Sequence, residues 1–262
     1  MTDALHDRAA RFAALHRGPS IFVMPNPWDV GSARMLAGLG FAALATSSGA
    51  AAGVVGRRDG QLTRDEALAH AESIVQAVEL PVSADLENGF GDAPEFVAET
   101  IGLAGAVGLA GASIEDYSGR AERPLYDFDH AVERVAAAAG AARALDRPFT
   151  LTARCENFLR GRLDLDDTVR RLQAYERAGA DVLFAPALPD LDAVRSVCAA
   201  LTKPVSFMVG MKGRSFTLAE LEAAGVRRVS LATSLYRTAM KAAADAAREV
   251  IEQGRLDYVD RL

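Results

Sequence analysis

The sequence predicts an α/β protein, a single (β/α)₈ barrel in which eight parallel strands alternate with helices. Eight short apolar runs alternate with longer helical patterns along the 262 residues, and no linker, charge block or change in composition divides them. Each run is apolar on both faces, as expected for a parallel strand covered on both sides. The predicted strands span 21–24, 41–46, 81–86, 112–115, 149–153, 182–185, 205–209 and 229–232. We therefore expect residues 1–262 to form one domain, with a doubly wound open sheet as the alternative architecture.

Helical patterns fill the segments between the strands, and their ends carry helix signals. Thr63 and Glu66 form a Ser/Thr-x-x-Glu capping box at one helix start, and Pro81 stops the chain soon after that helix. Gly179 and Gly225 stand where left-handed helix ends are expected before a strand. The predicted helices span 63–79, 93–106, 129–145, 166–178 and 188–201. An amphipathic helix over 4–15, within an N-terminal segment 1–18, is expected to lie against the barrel.

The C-terminal segment 233–262 is predicted to begin with a long Ala-rich helix over 233–252, which Gly254 ends. Its apolar residues recur with helical spacing. They are Leu235, Tyr236, Ala239, Met240, Ala243, Ala247 and Val250. Such a stripe fits the eighth helix of the barrel wall, and it equally fits a contact between subunits.

Composition restricts the class of function. The chain has 29 Lys and Arg against 35 Asp and Glu, a formal net charge of −6, which disfavours nucleic acid as a partner. No apolar run approaches the roughly 18 residues that span a bilayer, and Asp3 and Asp7 do not fit a signal peptide. We therefore expect a cytoplasmic protein without a membrane partner. A small anionic substrate needs only a local group of positive charges.

The functional groups of a barrel lie where its strands end, and the residue types there exclude several mechanisms. All four histidines fall in helices or in the N-terminal segment. A Ser-His-Asp site or a His-ligated zinc or iron is therefore not expected. The two cysteines are too few for a disulfide framework. Cys198 lies within a predicted helix, and Cys155 follows Arg154, so that strand alternation turns these two side chains in opposite directions. Both cysteines are interpreted as packing residues.

Three acids meet at one end of the predicted barrel. Asp85 and Glu87 lie two residues apart at the end of a strand, a spacing that puts both on the same side, and Glu115 ends the neighbouring strand. Because uncompensated negative charge is unfavourable there, a divalent cation is expected among them. Oxygen ligands alone favour Mg²⁺, or Mn²⁺. The alternative is a structural network in which these acids pair with Arg154 and Arg57.

Groups that suit an anionic substrate follow other strands. The planar guanidinium of Arg154 matches a carboxylate. Ser47, Ser48 and Gly49 offer hydroxyl and backbone N–H groups that can hold a carboxylate or phosphoryl oxygen, although such a turn by itself is more often only structural. Trp28 is a candidate pocket wall or a packing residue.

Four stretches at successive strand ends resemble the isocitrate lyase/phosphoenolpyruvate mutase superfamily. They are 48–60 with its Gly-Arg-Arg-Asp-Gly end, Asp-Leu-Glu-Asn-Gly-Phe-Gly over 85–91, Ile-Glu-Asp over 114–116 and Ala-Arg-Cys-Glu over 153–156. The likeness covers nearly the whole chain, in order. It implies a (β/α)₈ barrel whose last helix, here 233–252, is exchanged with a neighbouring subunit in a homodimer or homotetramer.

The resemblance also implies roles for the site residues. Mg²⁺ would be bound directly through Asp85, while Glu87, Glu115 and, as a further candidate, Asp59 would act through metal-bound waters. Arg154 and the 47–49 turn would hold a 2-oxo or 2-hydroxy acid, and Asp59 would act as base or nucleophile near the departing group. The predicted sets are Asp59, Glu115 and Arg154 as catalytic residues, Trp28, Ser47, Ser48, Gly49, Asp85 and Arg154 as substrate-binding residues, and Asp85, Glu87 and Glu115 as metal-binding residues.

The loop after the fourth strand departs from the lyases of this superfamily. Isocitrate and methylisocitrate lyases carry a Lys-Lys/Arg-Cys-Gly-His motif there, whose cysteine is the catalytic acid. Here residues 117–124 read Tyr-Ser-Gly-Arg-Ala-Glu-Arg-Pro, without cysteine or histidine, and Arg120 or Arg123 is the candidate replacement. The predicted function is a Mg²⁺-dependent lyase that cleaves the bond beside the carbonyl of a small 2-oxo or 2-hydroxy carboxylic acid. Carbon–phosphorus chemistry of the mutase or phosphonopyruvate hydrolase type, and binding of a 2-oxo acid without turnover, are the alternatives.

Overall fold

The computed structural model describes residues 2–261 and places eight parallel strands in one sheet. The strands are β1 Phe22–Met24, β2 Leu44–Ala45, β3 Val82–Asp85, β4 Gly111–Glu115, β5 Thr150–Arg154, β6 Val182–Phe184, β7 Val205–Met208 and β8 Val226–Ser230. Their order in the sheet is β1, β8, β7, β6, β5, β4, β3, β2. A hydrogen bond from Ala45 N to Pro25 O (3.1 Å) links the two outer strands, so the sheet is a nearly closed barrel. The predicted barrel is confirmed, and the doubly wound open sheet is wrong.

Helices surround this sheet within residues 2–261. They are α1 Thr2–Arg17, α2 Val30–Gly38, α3 Ser48–Val54, α4 Arg64–Ala77, α5 Pro94–Ala106, α6 Phe128–Arg143, α7 Leu165–Ala178, α8 Leu191–Ala199, α9 Leu218–Ala223 and α10 Ser234–Gln253, with a 3₁₀ helix over Asp257–Arg261. The capping box of Thr63 and Glu66 is present at the start of α4. Gly179 (φ 110°) and Gly225 (φ 97°) have the left-handed backbone that was predicted for them. Buried apolar side chains fill the space between the strands and α2 to α9.

Helix α1 covers the end of the barrel at which the strands begin. Phe12 is fully buried there, and its ring leaves no room for a side chain at Gly111, where a Cβ would lie 2.9 Å from the ring. Met24, Ala43 and Ala110 complete this small apolar cluster. The predicted packing of the N-terminal helix against the barrel is therefore confirmed.

The inside of the barrel is more polar than the sequence predicted. Ser83, Ser113 and Ser230 line its interior, together with the charged ends of β3, β4 and β5. The outward-facing residues of the same strands, such as Leu151, carry the apolar core. The prediction that the strands are apolar on both faces is therefore wrong for the inward face of these strands. The inward-facing hydroxyl groups line a polar cavity instead of an apolar core.

Strand β8 begins three residues before its predicted start of 229 and contains an inward-facing arginine. Arg228 is only 3% exposed. Its Nε donates to Ser206 Oγ and its Nη1 donates to Thr152 Oγ1, both at 3.0 Å. A hydroxyl on the neighbouring strand β7 and one across the barrel on β5 thus satisfy an arginine that the apolar strand pattern did not predict.

Helix α10 is not covered by the rest of this chain. None of its residues is buried, and Met240, Val250 and Ile251 are exposed. Its start is anchored by Tyr236, whose ring lies 5.9 Å from the ring of Trp28 and fits against Gly53. No helix in the part of the chain that the structure describes is long and apolar enough to cross a membrane.

Candidate active site

The strand ends open into a cavity of about 450 Å³ at the carboxyl side of the barrel. Most of the predicted site residues line it. They are Ser47, Ser48, Asp59, Asp85, Glu87, Glu115 and Arg154. Because these residues come from the ends of β2 to β5 and the loops that follow them, the barrel itself brings distant parts of the sequence together.

Asp85 is held by hydroxyl groups at the end of β3. Ser48 Oγ donates to its Oδ2 (3.1 Å), and its backbone N–H donates to Thr46 Oγ1 (3.1 Å). The negative charge of Asp85 raises the pKa values of two acids around it. Desolvation and the Asp85 carboxylate raise the pKa of Asp59, although the Asp59 side chain is exposed at the cavity mouth. Desolvation, Asp85 and Asp59 raise the pKa of Glu87 to about 8.

Glu87 reaches the cavity by a different route from the one predicted. Strand β3 ends at Asp85, and Glu87 has a φ of 50°, in the left-handed region that a non-glycine residue rarely adopts. Its carboxylate faces the cavity because of this local turn and not because of strand alternation. The predicted grouping of Asp85 and Glu87 is thus present, but the geometric reason given for it is wrong.

Arg154 lies among the acids at the end of β5. Its guanidinium forms ion pairs with Asp85 Oδ2 (3.7 Å) and Glu115 Oε2 (3.4 Å) and a hydrogen bond with Glu156. Burial alone acts to lower the pKa of Arg154, but these carboxylates outweigh it and leave that pKa above its ordinary value. Burial and the neighbouring Glu156 raise the pKa of Glu115 well above its usual range.

Ion pairs of the kind expected in the structural alternative are present for Arg154, whereas Arg57 forms none with the cavity acids among residues 2–261. Arg57 pairs with Glu66 on the surface (2.8 Å), where both side chains are more than two-fifths exposed. Arg57 therefore contributes no charge to the balance inside the cavity.

Arg160 and Glu156, which were not among the predicted site residues, join this ion-pair group. Glu156 is fully buried and accepts from Arg160 Nε (2.9 Å), while Arg160 Nη2 lies 3.7 Å from Glu115. The Arg160 guanidinium lies 3.5 Å from the ring centre of Tyr117. A signal existed for Glu156, since it lies two residues after Arg154, the same spacing that was used for Asp85 and Glu87.

Two predicted substrate-binding residues do not line the cavity. Trp28 packs on Tyr236, and its carbonyl oxygen is 2.9 Å from His70 Nε2. Gly49 lies beside Asp59, since a Cβ at position 49 would come within 3.3 Å of the Asp59 carboxyl group. Gly49 therefore leaves room for Asp59 without forming a wall of the cavity itself.

The loop after β4 presents a tyrosine to the cavity. Tyr117 lines it. Arg120 pairs with Asp92 (2.6 Å) and Arg123 pairs with Asp127 (2.5 Å), and neither arginine is among the residues that line the cavity. The hypothesis that one of these arginines replaces the missing loop acid is therefore wrong for this arrangement. Cys155 is buried in the apolar core, and Cys198 lies in α8, as predicted.

The donor groups of the cavity fit a hard divalent cation in chemistry. The aspartates, glutamates and serines that line it offer carboxylate and hydroxyl oxygens, and desolvation together with neighbouring carboxylates raises the pKa values of Asp59 and Glu87. Within residues 2–261, however, no three His, Cys, Asp or Glu side chains are grouped closely enough to hold an ion. The acids surround one cavity without converging on one point, and metal binding stays a prediction.

A (β/α)₈ barrel with acids and arginines at the carboxyl ends of its strands has the site of a barrel enzyme. The family model described as phosphoenolpyruvate phosphomutase matches residues 12–251. The chain therefore belongs to the phosphoenolpyruvate mutase family of enzymes, within the isocitrate lyase/phosphoenolpyruvate mutase superfamily.

Three relatives illustrate this membership. The 2-methylisocitrate lyase of Escherichia coli (strain K12) is 32% identical over 79% of this chain and 72% of that protein. An oxaloacetate decarboxylase of Chromohalobacter salexigens is 31% identical over 95% of this chain and 87% of that protein. A crystal structure from Burkholderia cenocepacia J2315, provisionally described as a lyase or mutase, is 52% identical with a TM-score of 0.97, and covers 99% of this chain and 93% of that one.

Proposed function

We propose that this protein is a metal-dependent lyase that cleaves the carbon–carbon bond beside the carbonyl of a small 2-oxo or 2-hydroxy carboxylic acid. The observation that carries the proposal is the arrangement of Arg154 among Asp85, Glu115 and Glu156 at the end of the barrel cavity. This arrangement supplies a fixed positive group in a largely buried position, where developing negative charge is stabilised most strongly.

The residues of the cavity divide the work of this reaction. Arg154 binds the substrate carboxylate through its planar donors and stabilises the enolate oxygen that receives electrons as the bond breaks. Ser47 and Ser48 hold the acid by hydrogen bonds. Asp59 stands at the cavity mouth with a raised pKa and acts as the base on the departing group.

Asp85, Glu87 and Glu115 are the residues that would hold Mg²⁺, or Mn²⁺. When bound, such an ion supplies Lewis-acid polarisation of the substrate carbonyl. The superfamily resemblance implies that Asp85 would bind the ion directly and that Glu87 and Glu115 would act through metal-bound waters.

A second candidate is carbon–phosphorus chemistry on the same cavity, in the manner of a phosphoenolpyruvate mutase or a phosphonopyruvate hydrolase. The match of the phosphoenolpyruvate phosphomutase family model over residues 12–251 favours it. Asp59 would then stand near the phosphoryl group. Binding of a 2-oxo acid without turnover is the third candidate, because the lyase cysteine is missing from residues 117–124.

One NMR experiment separates these candidates. The purified protein with Mg²⁺ is incubated with oxaloacetate, phosphonopyruvate, phosphoenolpyruvate and branched malates and citrates, and ¹H and ³¹P spectra are followed. Consumption of one compound beyond a no-enzyme control with the same Mg²⁺, abolished by EDTA and forming pyruvate or a similar oxo acid, is the expected result. Release or transfer of the phosphoryl group would select the second candidate. Line broadening of a 2-oxo acid without consumption would select the third.

Matched variants test the residues of the site. We expect Asp85→Ala to abolish both Mg²⁺ binding and turnover. Asp65→Ala, which removes an acid that is 92% exposed on α4, should leave both unchanged. If Asp85→Ala kept metal binding and turnover, the assignment of the site would be overturned.

We also propose that the chain forms a homodimer or homotetramer through α10. Its apolar stripe is exposed within the chain, and the superfamily resemblance implies that this helix is exchanged between subunits. A covered stripe would remove exposed apolar surface from water.

A further inference from the structure

Arg228 is a buried cation without an acidic partner. Within the described residues 2–261, the hydrogen bonds of its guanidinium go to neutral groups, namely the hydroxyls of Ser206 and Thr152 (3.0 Å each) and His16 Nε2 (3.4 Å). His16 is neutral, because burial and the charge of Arg228 lower its pKa to about 3. No carboxylate among residues 2–261 forms an ion pair with Arg228, and desolvation alone lowers its pKa to about 9, so it keeps its charge at neutral pH.

Two other buried arginines of this chain, Arg154 and Arg171, are balanced by acids, whereas buried Arg134 donates to backbone carbonyl oxygens. Arg154 contacts three carboxylates. Arg171 contacts Asp116 and Asp167, each at 3.1 Å. A buried charge without a counter-charge is unfavourable unless something else compensates it. Arg228 therefore lacks the acidic partners that Arg154 and Arg171 have, although it lines the same cavity as Arg154.

Arg228 also lines the cavity of the candidate active site. Through the register of β5 to β8, Arg154, Phe184, Ser206 and Arg228 are consecutive cross-strand partners. Arg228 bonds to Thr152, which lies two residues before Arg154 on β5 and so closer to the closed end of the barrel. One cavity thus has a cation near its carboxylate-lined mouth and a second cation at its inner end.

The two cations differ in what they can offer a ligand. The charge of Arg154 is already shared among three carboxylates, whereas that of Arg228 is uncompensated. The hydroxyls of Ser113 and Ser230 also line the cavity, where they donate to Asp85 Oδ1 (3.5 Å) and Asn26 Oδ1 (3.1 Å).

We propose that Arg228 forms a second carboxylate-binding site at the inner end of the cavity, which selects substrates with two carboxylates. This inference rests on the proposed function, in which Arg154 holds the other carboxylate. It makes Arg228 a specificity-determining residue that binds the end of the substrate away from the bond that is broken.

Binding of unreactive ligands tests the proposal without turnover. The probes are succinate and monomethyl succinate, which share the same four-carbon diacid chain; the monoester has one negative charge fewer and one methyl group more. Affinities are measured by calorimetry in chloride-free buffer, with and without Mg²⁺. We expect the native protein to bind succinate about tenfold or more tightly than the monoester, because a charge-assisted hydrogen bond is lost with the second carboxylate.

Two arginine variants locate the second carboxylate. Arg228→Met should reduce the preference for succinate to about one, and Arg228→Lys should restore part of it. Arg237→Met removes another arginine that lines the cavity and should keep the full preference. Loss of the preference in Arg237→Met but not in Arg228→Met would overturn the proposal. So would equal affinity for the two ligands in the native protein, a result that does not depend on any variant folding.

A free-anion site and a failed function give different results. Thermal stabilisation by chloride that Arg228→Met abolishes, without any preference for succinate, would show a site for free anions and overturn the dicarboxylate assignment. If no compound of the NMR panel is consumed while the Arg228-dependent preference persists, the proposed reaction fails and the binding site stands. If a dicarboxylate is turned over with kcat/KM unchanged in Arg228→Met, the reaction stands and this site fails.

Discussion

Tyr117 is the titratable residue that the loop after β4 brings to the cavity. It is half-buried, and its ring stacks on the Arg160 guanidinium, which fixes the direction of its hydroxyl group. The lyases that this chain resembles have a cysteine in this loop that acts as the catalytic acid. Residues 117–124 contain no cysteine. We therefore assign Tyr117 as the proton donor to the carbon left by bond cleavage.

Replacement of Tyr117 should slow the chemical step without weakening binding. Tyr117→Phe keeps the stacking and removes the proton, so kcat should fall by about 10²-fold or more while KM changes little. Steady-state kinetics on the compound consumed in the NMR panel measure this. Arg120→Ala and Cys155→Ser are the controls, since neither side chain lines the cavity, and both should retain activity. Full activity in Tyr117→Phe would show that another group donates the proton.

His16 makes the stability of the barrel depend on pH. Burial, Arg228 and, more weakly, Arg17 lower its pKa from 6.5 to about 3. Between about pH 6.5 and 3, His16 is therefore protonated in the unfolded chain and neutral in the folded chain. The free energy of unfolding consequently falls as the pH drops through this range. Between pH 7 and pH 5 this group alone should cost about 2 kcal/mol.

Comparison of two histidine variants on α1 isolates this effect. His16→Gln stays neutral at every pH, so its free energy of unfolding should fall less than that of the native protein between pH 7 and pH 5. Urea denaturation at each pH measures the difference. His6→Gln, at an exposed position of the same helix, should follow the native pH dependence. Equal pH dependence in His16→Gln would mean that His16 is protonated in the folded state.

Residue types could be predicted from sequence more readily than residue conformations. Asp85, Glu115 and Arg154 were predicted at the cavity because a strand end fixes where a side chain points. The left-handed backbone of Glu87 and the surface pairing of Arg57 could not be predicted, since both depend on contacts made by the folded chain. The choice between packing residue and pocket wall for Trp28 could not be made from sequence either, because its partner Tyr236 is more than 200 residues away.

At the scale of elements, one buried side chain holds the loop between β3 and α5. Arg134 of α6 is 1% exposed, and its guanidinium donates to the carbonyl oxygens of Asn88, Gly91 and Asp92. Tyr126 OH bonds to Asp92 Oδ1 at 2.6 Å. These contacts hold the segment that follows Glu87 in position. They thereby help to keep Glu87 in its left-handed backbone conformation.

The strands show where periodicity failed as a guide. The start of β8 was missed because Arg227 and Arg228 precede its apolar residues. Arg228 fits inside the barrel because hydroxyls on other strands meet it, and one of them, that of Thr152, lies 76 residues away in the sequence. Such a partner is invisible to a local pattern, whereas the capping box at Thr63 was predicted because all its atoms lie within one turn.

Helix α10 should determine the oligomeric state. Met240→Glu places a charge in the exposed apolar stripe, where a partner subunit would have to desolvate it. We expect the native protein to have a multiple of the 27.7 kDa chain mass by light scattering, and Met240→Glu to have a lower mass at equal concentration. Ala242→Glu, about half a helical turn away from Met240 around the helix, is the control and should keep the native mass.

A native mass of one chain would contradict this interpretation of α10. So would an unchanged mass in Met240→Glu. Far-UV circular dichroism of both variants confirms that the helix is still formed, so that a change in mass reports the contact and not unfolding.

At the scale of the whole molecule, two interiors with different chemistry coexist. The space between strands and helices is apolar, with Leu44, Leu86, Ile114 and Leu151 fully or almost fully buried. The space inside the strands is lined by hydroxyls, four acids and four arginines. Alternation along each strand separates the two, so the apolar shell supplies stability and leaves the inner face available for a polar site.

The crowded acids of the inner space make stability responsive to a divalent cation. An ion that binds only the folded chain stabilises it by about 2.7 kcal/mol at a hundred times its Kd. For a chain of this size that corresponds to a rise in Tm on the order of 5–10 °C. Thermal unfolding with Mg²⁺ and with EDTA should show this rise in the native protein and in Asp65→Asn, whose acid is exposed on α4.

In Asp85→Asn the rise should disappear, because the central carboxylate of the cavity is neutral. The Tm of that variant without metal should stay close to the native value, since repulsion of Glu87 by Asp85 is relieved while one ion pair of Arg154 is lost. An equal Mg²⁺-dependent rise in Asp85→Asn would place the ion elsewhere on the molecule and remove the metal from the proposed reaction.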